Sequence, residues 1–122
     1  MSTKIMSIQD VANRLVELCR KGQVLEAQAE LYGDEIISTE PAHTLAPPTI
    51  GKSAVIAKGK HFASTILERH GGSFGDPIIC GNYFSIACSI DATIKDRGRM
   101  QINEISVYEV KDGKVLSEHF FY

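Results

Sequence analysis

Three segments in the second half of the chain alternate between apolar and polar residues. They are YFSIACSIDATI at 83–94, MQINEISVYEV at 100–110 and KVLSEHFFY at 114–122. This alternation, together with many β-branched and aromatic residues, is typical of strands that turn one face to a core. The KDG segment at 111–113 predicts a hairpin turn between the last two strands. The second half therefore predicts long antiparallel strands.

The first half of the chain predicts helices. Ser7 is a suitable N-cap for a first helix, which Gly22 ends. The helical spacing of Ile8, Val11, Leu15 and Leu18 gives this helix one apolar stripe. The segment QVLEAQAELY predicts a second, shorter helix whose inward residues are Val24, Ala27 and Leu31.

A short strand and a third helix complete the first half. The strand is DEIIST at 34–39, and the Pro-rich loop PAHTLAPPTIG follows Glu40. The third helix is predicted from Lys52 to Arg69, with Gly71 and Gly72 stopping it. Its predicted inward residues are Val55, Gly59, Phe62 and Ile66. Helices followed by antiparallel strands predict an α+β fold in which helices cover one face of a sheet.

Composition and charge exclude several classes of protein. The 122 residues fit one domain, and 13 basic residues balance 15 acidic ones, which argues against a nucleic-acid partner. No apolar run is long enough to span a membrane, and the N-terminal segment lacks a secretion signal, so we expect a cytoplasmic protein without a membrane partner. The three widely spaced cysteines resemble small buried residues rather than disulfides or a metal site.

The order of these elements resembles the nuclear transport factor 2-like superfamily, which includes ketosteroid isomerase and SnoaL-like polyketide cyclases. The segments that carry the resemblance are LYGDEIISTEP, GKSAVIAKGKHF and VYEVKDGKVLSEHFFY. The resemblance spans nearly the whole chain and implies a single domain over 1–122. It further implies a cone of about three N-terminal helices on a curved antiparallel sheet, with an apolar pocket inside and a homodimer through the outer sheet face.

The alternation also predicts which side chains face the pocket. A three-residue turn would pair Val110 with Lys114, which sets Ser106 opposite Glu118 and Glu104 opposite Phe120. The predicted inner face carries Ile102, Glu104, Ser106, Tyr108, Leu116, Glu118, Phe120 and Tyr122. The resemblance assigns this set inward too, because pocket residues of the isomerase fall on the same phase of the matching strands.

The strand before this hairpin has a fully apolar phase, formed by Phe84, Ile86, Cys88 and Ile90. If this apolar phase faces inward together with the inner face of the last two strands, the connection near KDRGR at 95–99 must contain a loop of odd length or a bulge. Asp91 then lies on the outer face. The predicted outer face of the last two strands carries Asn103, Ile105, Val107, Val115, Ser117, His119 and Phe121. This set is too apolar for an open surface, so we expect a symmetric homodimer there.

Three acids are the candidate catalytic residues. Glu40 stands just before Pro41, at the position where ketosteroid isomerases keep their general base. A carboxylate at the rim of an apolar cavity loses hydration, and its pKa rises towards the range useful to a base. Glu104 and Glu118 are predicted as diagonal neighbours, and if both are buried one of them holds a proton. The alternatives are a solvated strand end for Glu40 and ion pairs at the mouth of the cone for the others.

Seven residues are candidates for contact with a small hydrophobic ligand. They are Tyr32, His43, Phe62, Phe84, Tyr108, Phe120 and Tyr122. Tyr32 matches a tyrosine of the isomerase by position, although it could equally be a core aromatic whose hydroxyl finds one partner. His43 could equally be a loop residue.

Two functions remain open. One is an enzyme without cofactor or metal, an isomerase, cyclase, dehydratase or hydrolase that acts on a small apolar carbonyl compound by carboxylate general acid/base catalysis. The other is a non-catalytic ligand-binding or dimeric interaction module. The positions of the isomerase's two oxyanion donors fall at or near Leu15 and Ser106 here, so the resemblance is to the scaffold and not to the steroid chemistry.

Overall fold

The computed structural model describes residues 5–122. Within that range the helices are α1 (Ile8–Arg20), α2 (Val24–Leu31) and α3 (Lys52–Thr65), with a short 3-10 helix at Ala42–Thr44. The strands are β1 (Tyr32–Thr39), β2 (Thr49–Ile50), β3 (Ile66–Phe74), β4 (Ile78–Cys80), β5 (Tyr83–Ile94), β6 (Gly98–Lys111) and β7 (Lys114–Phe121). This composition confirms the predicted α+β class.

The strands form one curved sheet in the order β2-β1-β7-β6-β5-β3, with β4 beside β5. β1 and β7 run parallel, whereas the other pairs are antiparallel. The predicted curved antiparallel sheet is therefore confirmed for every strand pair except β1 and β7, whose parallel pairing makes the sheet mixed. Parallel pairing needs a long crossover, and here everything between β1 and β7 supplies it.

The helices cover one face of the sheet and close a single core. Ser7 caps α1 by accepting a hydrogen bond from the Asp10 amide at 3.1 Å, and Gly22 follows its end with φ 74°. In α2 the buried residues are Ala27, Gln28 and Leu31. Val24 is 38% exposed, so its predicted inward position was wrong.

The third helix is shorter than predicted, because the chain from Ile66 onwards is strand β3. β3 pairs antiparallel with β5, and Gly71 and Gly72 lie within it rather than ending a helix. Of the residues predicted to face inward from α3, only Val55 is buried. Phe62 is 41% exposed, so this side chain lies at the surface of the helix layer.

The pairing of β5 with β6 follows the prediction. A three-residue loop joins the paired ends Ile94 and Gly98, which is the odd length that the inward apolar phase requires. Phe84, Ile86 and Cys88 are buried on the inner face. Asp91 lies on the outer side and forms an ion pair with Arg99 at 3.0 Å.

The hairpin of β6 and β7 departs from the prediction in its register. Its turn has two residues, Asp112 and Gly113, with φ 51° and 75°, so Val110 pairs with Val115 rather than Lys114. A bulge at Leu116 then restores the predicted faces beyond it. Val115 is consequently fully buried and Leu116 is 39% exposed, the reverse of the prediction.

The bulge also changes which residues meet across the hairpin. Glu118 pairs with Tyr108, and Phe120 pairs with Ser106. Glu104 and Glu118 therefore share the inner face but are not the diagonal neighbours that were predicted.

The core fills the space between the helices and the inner sheet face. Phe84 stacks on Tyr108 with ring centroids 4.8 Å apart, beside buried residues of all three helices. Cys19 and Cys88 are buried as predicted, but Cys80 is exposed. None of the described helices has the length and apolar character needed to cross a membrane.

Replacing Gly72 by alanine should destabilise the protein by roughly 1–3 kcal/mol, because the added Cβ would meet the backbone oxygen of Ser89 at 2.7 Å. Gly71 is the matched control in the same strand, since a Cβ there meets nothing within 4 Å. Urea unfolding of both variants measures the difference. Equal stability of the two variants would contradict the close packing of β3 on β5.

Candidate functional site

The inner face of the sheet is fully buried at one end, the closed end, and becomes partly exposed to solvent further along, in a part that we call the accessible end. Phe84, Ile86, Ser106 and Tyr108 are buried at the closed end. Further along the same strands Ile90, Ile102 and Glu104 are only half-buried, as is Phe120 of β7. The candidate acids lie along this transition, and further along β5 the inner-facing Ala92 and Ile94 are buried again.

Glu118 lies at the inner end of this transition and is 1% exposed. The Tyr32 hydroxyl donates to its carboxyl group, at 2.8 Å from Oε1 and 3.1 Å from Oε2. Burial raises the pKa of Glu118 to about 7, although the Tyr32 hydrogen bond and the charge of Lys58 oppose the shift. Near neutral pH this carboxyl group therefore exists in both protonation states.

Glu40 follows the end of β1, where buried Pro41 ends the strand. Both of its carboxylate oxygens have partners: Lys58 Nζ lies 3.2 Å from Oε1, and the Tyr122 hydroxyl donates to Oε2 at 3.1 Å. The Glu40 side chain keeps 22% of its surface exposed. It is thus held in one orientation and remains within reach of a ligand.

Lys58 connects helix α3 to the strand that carries Glu40. Its Nζ donates to the Ser38 hydroxyl oxygen at 2.7 Å and lies 5.5 Å from the centroid of the Phe120 ring. The sequence analysis missed this residue. No local spacing identifies it, because its partners Ser38 and Glu40 lie on another part of the chain.

Glu104 has a raised pKa because it is partly buried and because the negative charge of Glu40 disfavours its ionisation. The two carboxyl groups therefore lie in different environments. The Glu40 carboxyl group is held beside the Lys58 ammonium group, whereas the Glu104 carboxyl group has a raised pKa. Such a difference suits one group to accept a proton and the other to donate one.

The remaining candidates lie in three different places. His43 joins the Glu40 region, since its Nε2 lies 2.7 Å from the backbone oxygen of Tyr122 and its ring meets the Tyr122 ring edge-on. Phe84 and Tyr108 stack in the core, and Leu15 is buried there as well. Phe62 makes none of the ring contacts or side-chain hydrogen bonds that join the other residues of the site.

The donor groups around the site do not form a metal centre. Across residues 5–122, no three His, Cys, Asp or Glu side chains are arranged to hold a metal ion. The polar groups that the described residues bring together here are carboxyl groups, hydroxyl groups and the Lys58 ammonium group.

Replacing Glu118 by glutamine should flatten the pH dependence of stability. The folded protein keeps a proton on Glu118 that the unfolded chain releases between pH 4.5 and about 7. The free energy of unfolding should therefore fall as the pH rises through this window, by at most about 1.4 kcal/mol per pH unit. Glutamine carries no titrating proton and removes this slope.

Urea unfolding between pH 4.5 and 8 measures this slope for the wild type, for Glu118→Gln and for a control, Glu26→Gln, on the exposed side of α2. The control should keep the wild-type slope. A Glu118→Gln protein with an unchanged slope would contradict the raised pKa.

Comparison with known proteins gives the family. Residues 6–122 match the family model of the SnoaL-like domain. A protein from Mesorhizobium loti, described as a candidate SnoaL-like polyketide cyclase, is 32% identical and superposes with a TM-score of 0.89 over 96% of this chain and 100% of its own.

Two more distant structures share the fold. An NTF2-like protein of unknown function from Burkholderia pseudomallei is 16% identical, with a TM-score of 0.74 over 96% of this chain and 92% of its own. A protein with a ketosteroid isomerase-like fold from Catenulispora acidiphila, solved with trimethylamine, is 10% identical, with a TM-score of 0.72 over 93% of this chain and 85% of its own. No curated protein matches this chain. The predicted superfamily is thus confirmed, and the chain belongs to the SnoaL-like domain family.

Proposed function

We propose that this protein is an enzyme that acts on a small apolar carbonyl compound by general acid/base catalysis between carboxyl groups. The observation that carries the proposal is the position of Glu40. Its carboxylate is held by Lys58 and Tyr122 at the accessible end of an otherwise closed inner face. An oriented, partly dehydrated carboxylate is what proton abstraction from carbon requires.

The two accessible acids have separate roles. Glu40 is the base, because Lys58 and Tyr122 hold its side chain in one orientation while 22% of its surface stays exposed. Glu104 is the acid, because burial and the charge of Glu40 raise its pKa and so favour its protonated form. Glu118 is too deeply buried to touch a substrate, and with Tyr32 it forms the polar floor of the site.

The lining of the accessible end indicates the class of substrate. Phe120, Ile90 and Ile102 are half-buried there, so a small hydrophobic body can cover them. The polar groups lie at one side, around Glu40 and Lys58. Proton transfer between carboxyl groups and carbon needs no cofactor.

A non-catalytic binding module is the second candidate. The observation that favours it is the stack of Phe84 on Tyr108, which fills the closed end of the cone with protein side chains. The space left for a ligand is then confined to the accessible end. In this case the acids would hold the shape of the site and perform no chemistry.

Replacing Glu40 by glutamine separates the two candidates, since it removes the base and keeps the shape. Hydrogen–deuterium exchange at the α-carbon of a panel of small ketones, followed by proton NMR, should slow by roughly a hundredfold or more. Glu35→Gln, on an exposed position of β1, is the control and should keep the wild-type rate.

Two results would contradict the enzyme. Unchanged exchange in Glu40→Gln would remove Glu40 as the base. A wild-type protein that binds ketones without accelerating their exchange would establish the binding module instead.

We further propose a symmetric homodimer through the outer sheet face. Tyr83, Ile105 and Phe121 are 49%, 51% and 48% exposed on that face. A depression of about 500 Å³ has Ile105, Phe121 and Ala87 in its lining, together with the polar side chains of Ser89 and Asn103. Apolar side chains grouped around a depression are typical of an interface.

Light scattering after size-exclusion chromatography should give twice the mass of one chain for the wild type. Ile105→Asp should give a single chain, because it adds a charge to the apolar face. Ile50→Asp, on the edge strand β2 and also exposed, is the control and should remain dimeric. A monomeric wild type, or a dimeric Ile105→Asp protein, would contradict this interface.

A further inference from the structure

We propose that Lys58 binds the carbonyl oxygen of the substrate and stabilises the negative charge that forms there when Glu40 removes the neighbouring proton. The inference deepens the proposed function and rests on it, because it narrows the reaction to one that passes through an enolate. It also assigns a catalytic role to a residue that no sequence pattern singled out.

The hydrogen bonds of Lys58 leave room for a substrate oxygen. An ammonium group has three N–H donors. Ser38 takes one at 2.7 Å and Glu40 takes another at 3.2 Å. The third is available to a ligand, and the Lys58 side chain is 32% exposed.

The position of the ammonium group is fixed from several sides. Ser38 is fully buried in β1, so its hydroxyl group anchors Nζ from the inside. The Phe120 ring lies 5.5 Å away and contributes an attraction between the cation and its π-face. A donor that is already oriented costs no reorganisation when charge develops on the substrate.

The distance between base and donor matches an enolisable carbonyl compound. Glu40 Oε1 and Lys58 Nζ are 3.2 Å apart. In a ketone the α-hydrogen and the carbonyl oxygen stand on adjacent carbons, so one carboxylate and one ammonium in contact can engage both at once. A substrate without a hydrogen next to a carbonyl group cannot use this pair.

The proton transfer balances without any further reactant. Glu40 takes the α-proton, the electron pair of the C–H bond forms the C=C bond of the enolate, and the carbonyl π-pair moves to the oxygen, which accepts a hydrogen bond from Lys58. Glu40 then returns the proton, either to the same α-carbon, which gives hydrogen exchange, or, in a β,γ-unsaturated substrate whose enolate is conjugated, to the γ-carbon, which gives the isomer and restores the Glu40 carboxylate.

The charge of Glu40 explains why this arrangement favours the transition state. Before the transfer the Lys58 ammonium is paired with the Glu40 carboxylate. As Glu40 gains the proton it becomes neutral, and Lys58 is released to pair with the enolate oxygen. Its interaction with the substrate therefore strengthens as the reaction proceeds, which is the condition for lowering the barrier.

Binding of 4-nitrophenolate tests this role without any catalysis, because the probe is a planar anion with one charged oxygen. Fluorescence or NMR titration is carried out at a pH at which the phenol is ionised. Lys58→Met should weaken binding about tenfold or more, since a charge-assisted hydrogen bond is lost. Glu40→Gln should tighten binding, because it frees Lys58 and removes a repelling charge.

Three further variants make the titration decisive. Lys60→Met, exposed on the same helix, is the matched control and should bind as the wild type does. Lys58→Gln should also weaken binding of the probe, which would show that the effect of Lys58→Met does not come from the packing of methionine. Lys58→Arg keeps the positive charge and should keep part of the binding affinity. Circular dichroism confirms that each variant is folded.

The outcomes separate this inference from the proposed function. A wild type that does not bind the probe, equal binding by Lys58→Met, or equal weakening by Lys60→Met overturns the role of Lys58. Binding that depends on Lys58, in a protein that exchanges no ketone hydrogen, contradicts the proposed catalysis and keeps the anion-binding role. In an active protein, Lys58→Met should lower kcat more than it raises KM.

Discussion

The pairing of β5 with β6 determines which side chains meet inside this protein. It runs without a break from Tyr83–Glu109 to Ile94–Gly98. Because side chains alternate along a strand, this register turns Glu104, Ser106 and Tyr108 to the helices together with the apolar phase of β5. A slip of one residue would turn all of them to the outer face and leave no site at all.

Three acids on one inner face could be expected to repel one another, and their surroundings show how the protein accommodates them. Glu118 is buried against Tyr32 and has a pKa of about 7. Lys58 balances the charge of Glu40, and the pKa of Glu104 is raised. The protein thus carries fewer negative charges near neutral pH than its carboxyl groups suggest, and the charges that remain lie where a ligand can meet them.

Much of this arrangement follows from the sequence, because period-two alternation is a strong signal. It predicted the inward phase of β5, the odd loop at 95–97 and the shared face of Glu104 and Glu118. The strand β3 was missed because ILERHGGSF lacks alternation and its glycines resemble a helix stop. The bulge at Leu116 was missed because no local pattern distinguishes it from a regular strand.

Lys58 was missed for a different reason. A lysine on a helix is ordinarily solvated, and only the tertiary structure brings this one to Ser38 and Glu40 from another element. Long-range pairs of this kind depend on how helix α3 lies on β1, which the spacing of apolar residues does not encode. The shared inner face of Glu104 and Glu118 could therefore be predicted from the sequence, whereas the lysine that contacts Glu40 could not.

The central claim is that burial on this inner face raises the pKa values of Glu118 and Glu104. Carbon NMR of the assigned side-chain carboxyl groups, followed as a function of pH, measures this most directly. The account predicts that Glu118 titrates near pH 7 and that the pKa of Glu104 lies above the ordinary 4.5. Titration of both groups at their ordinary value would contradict it.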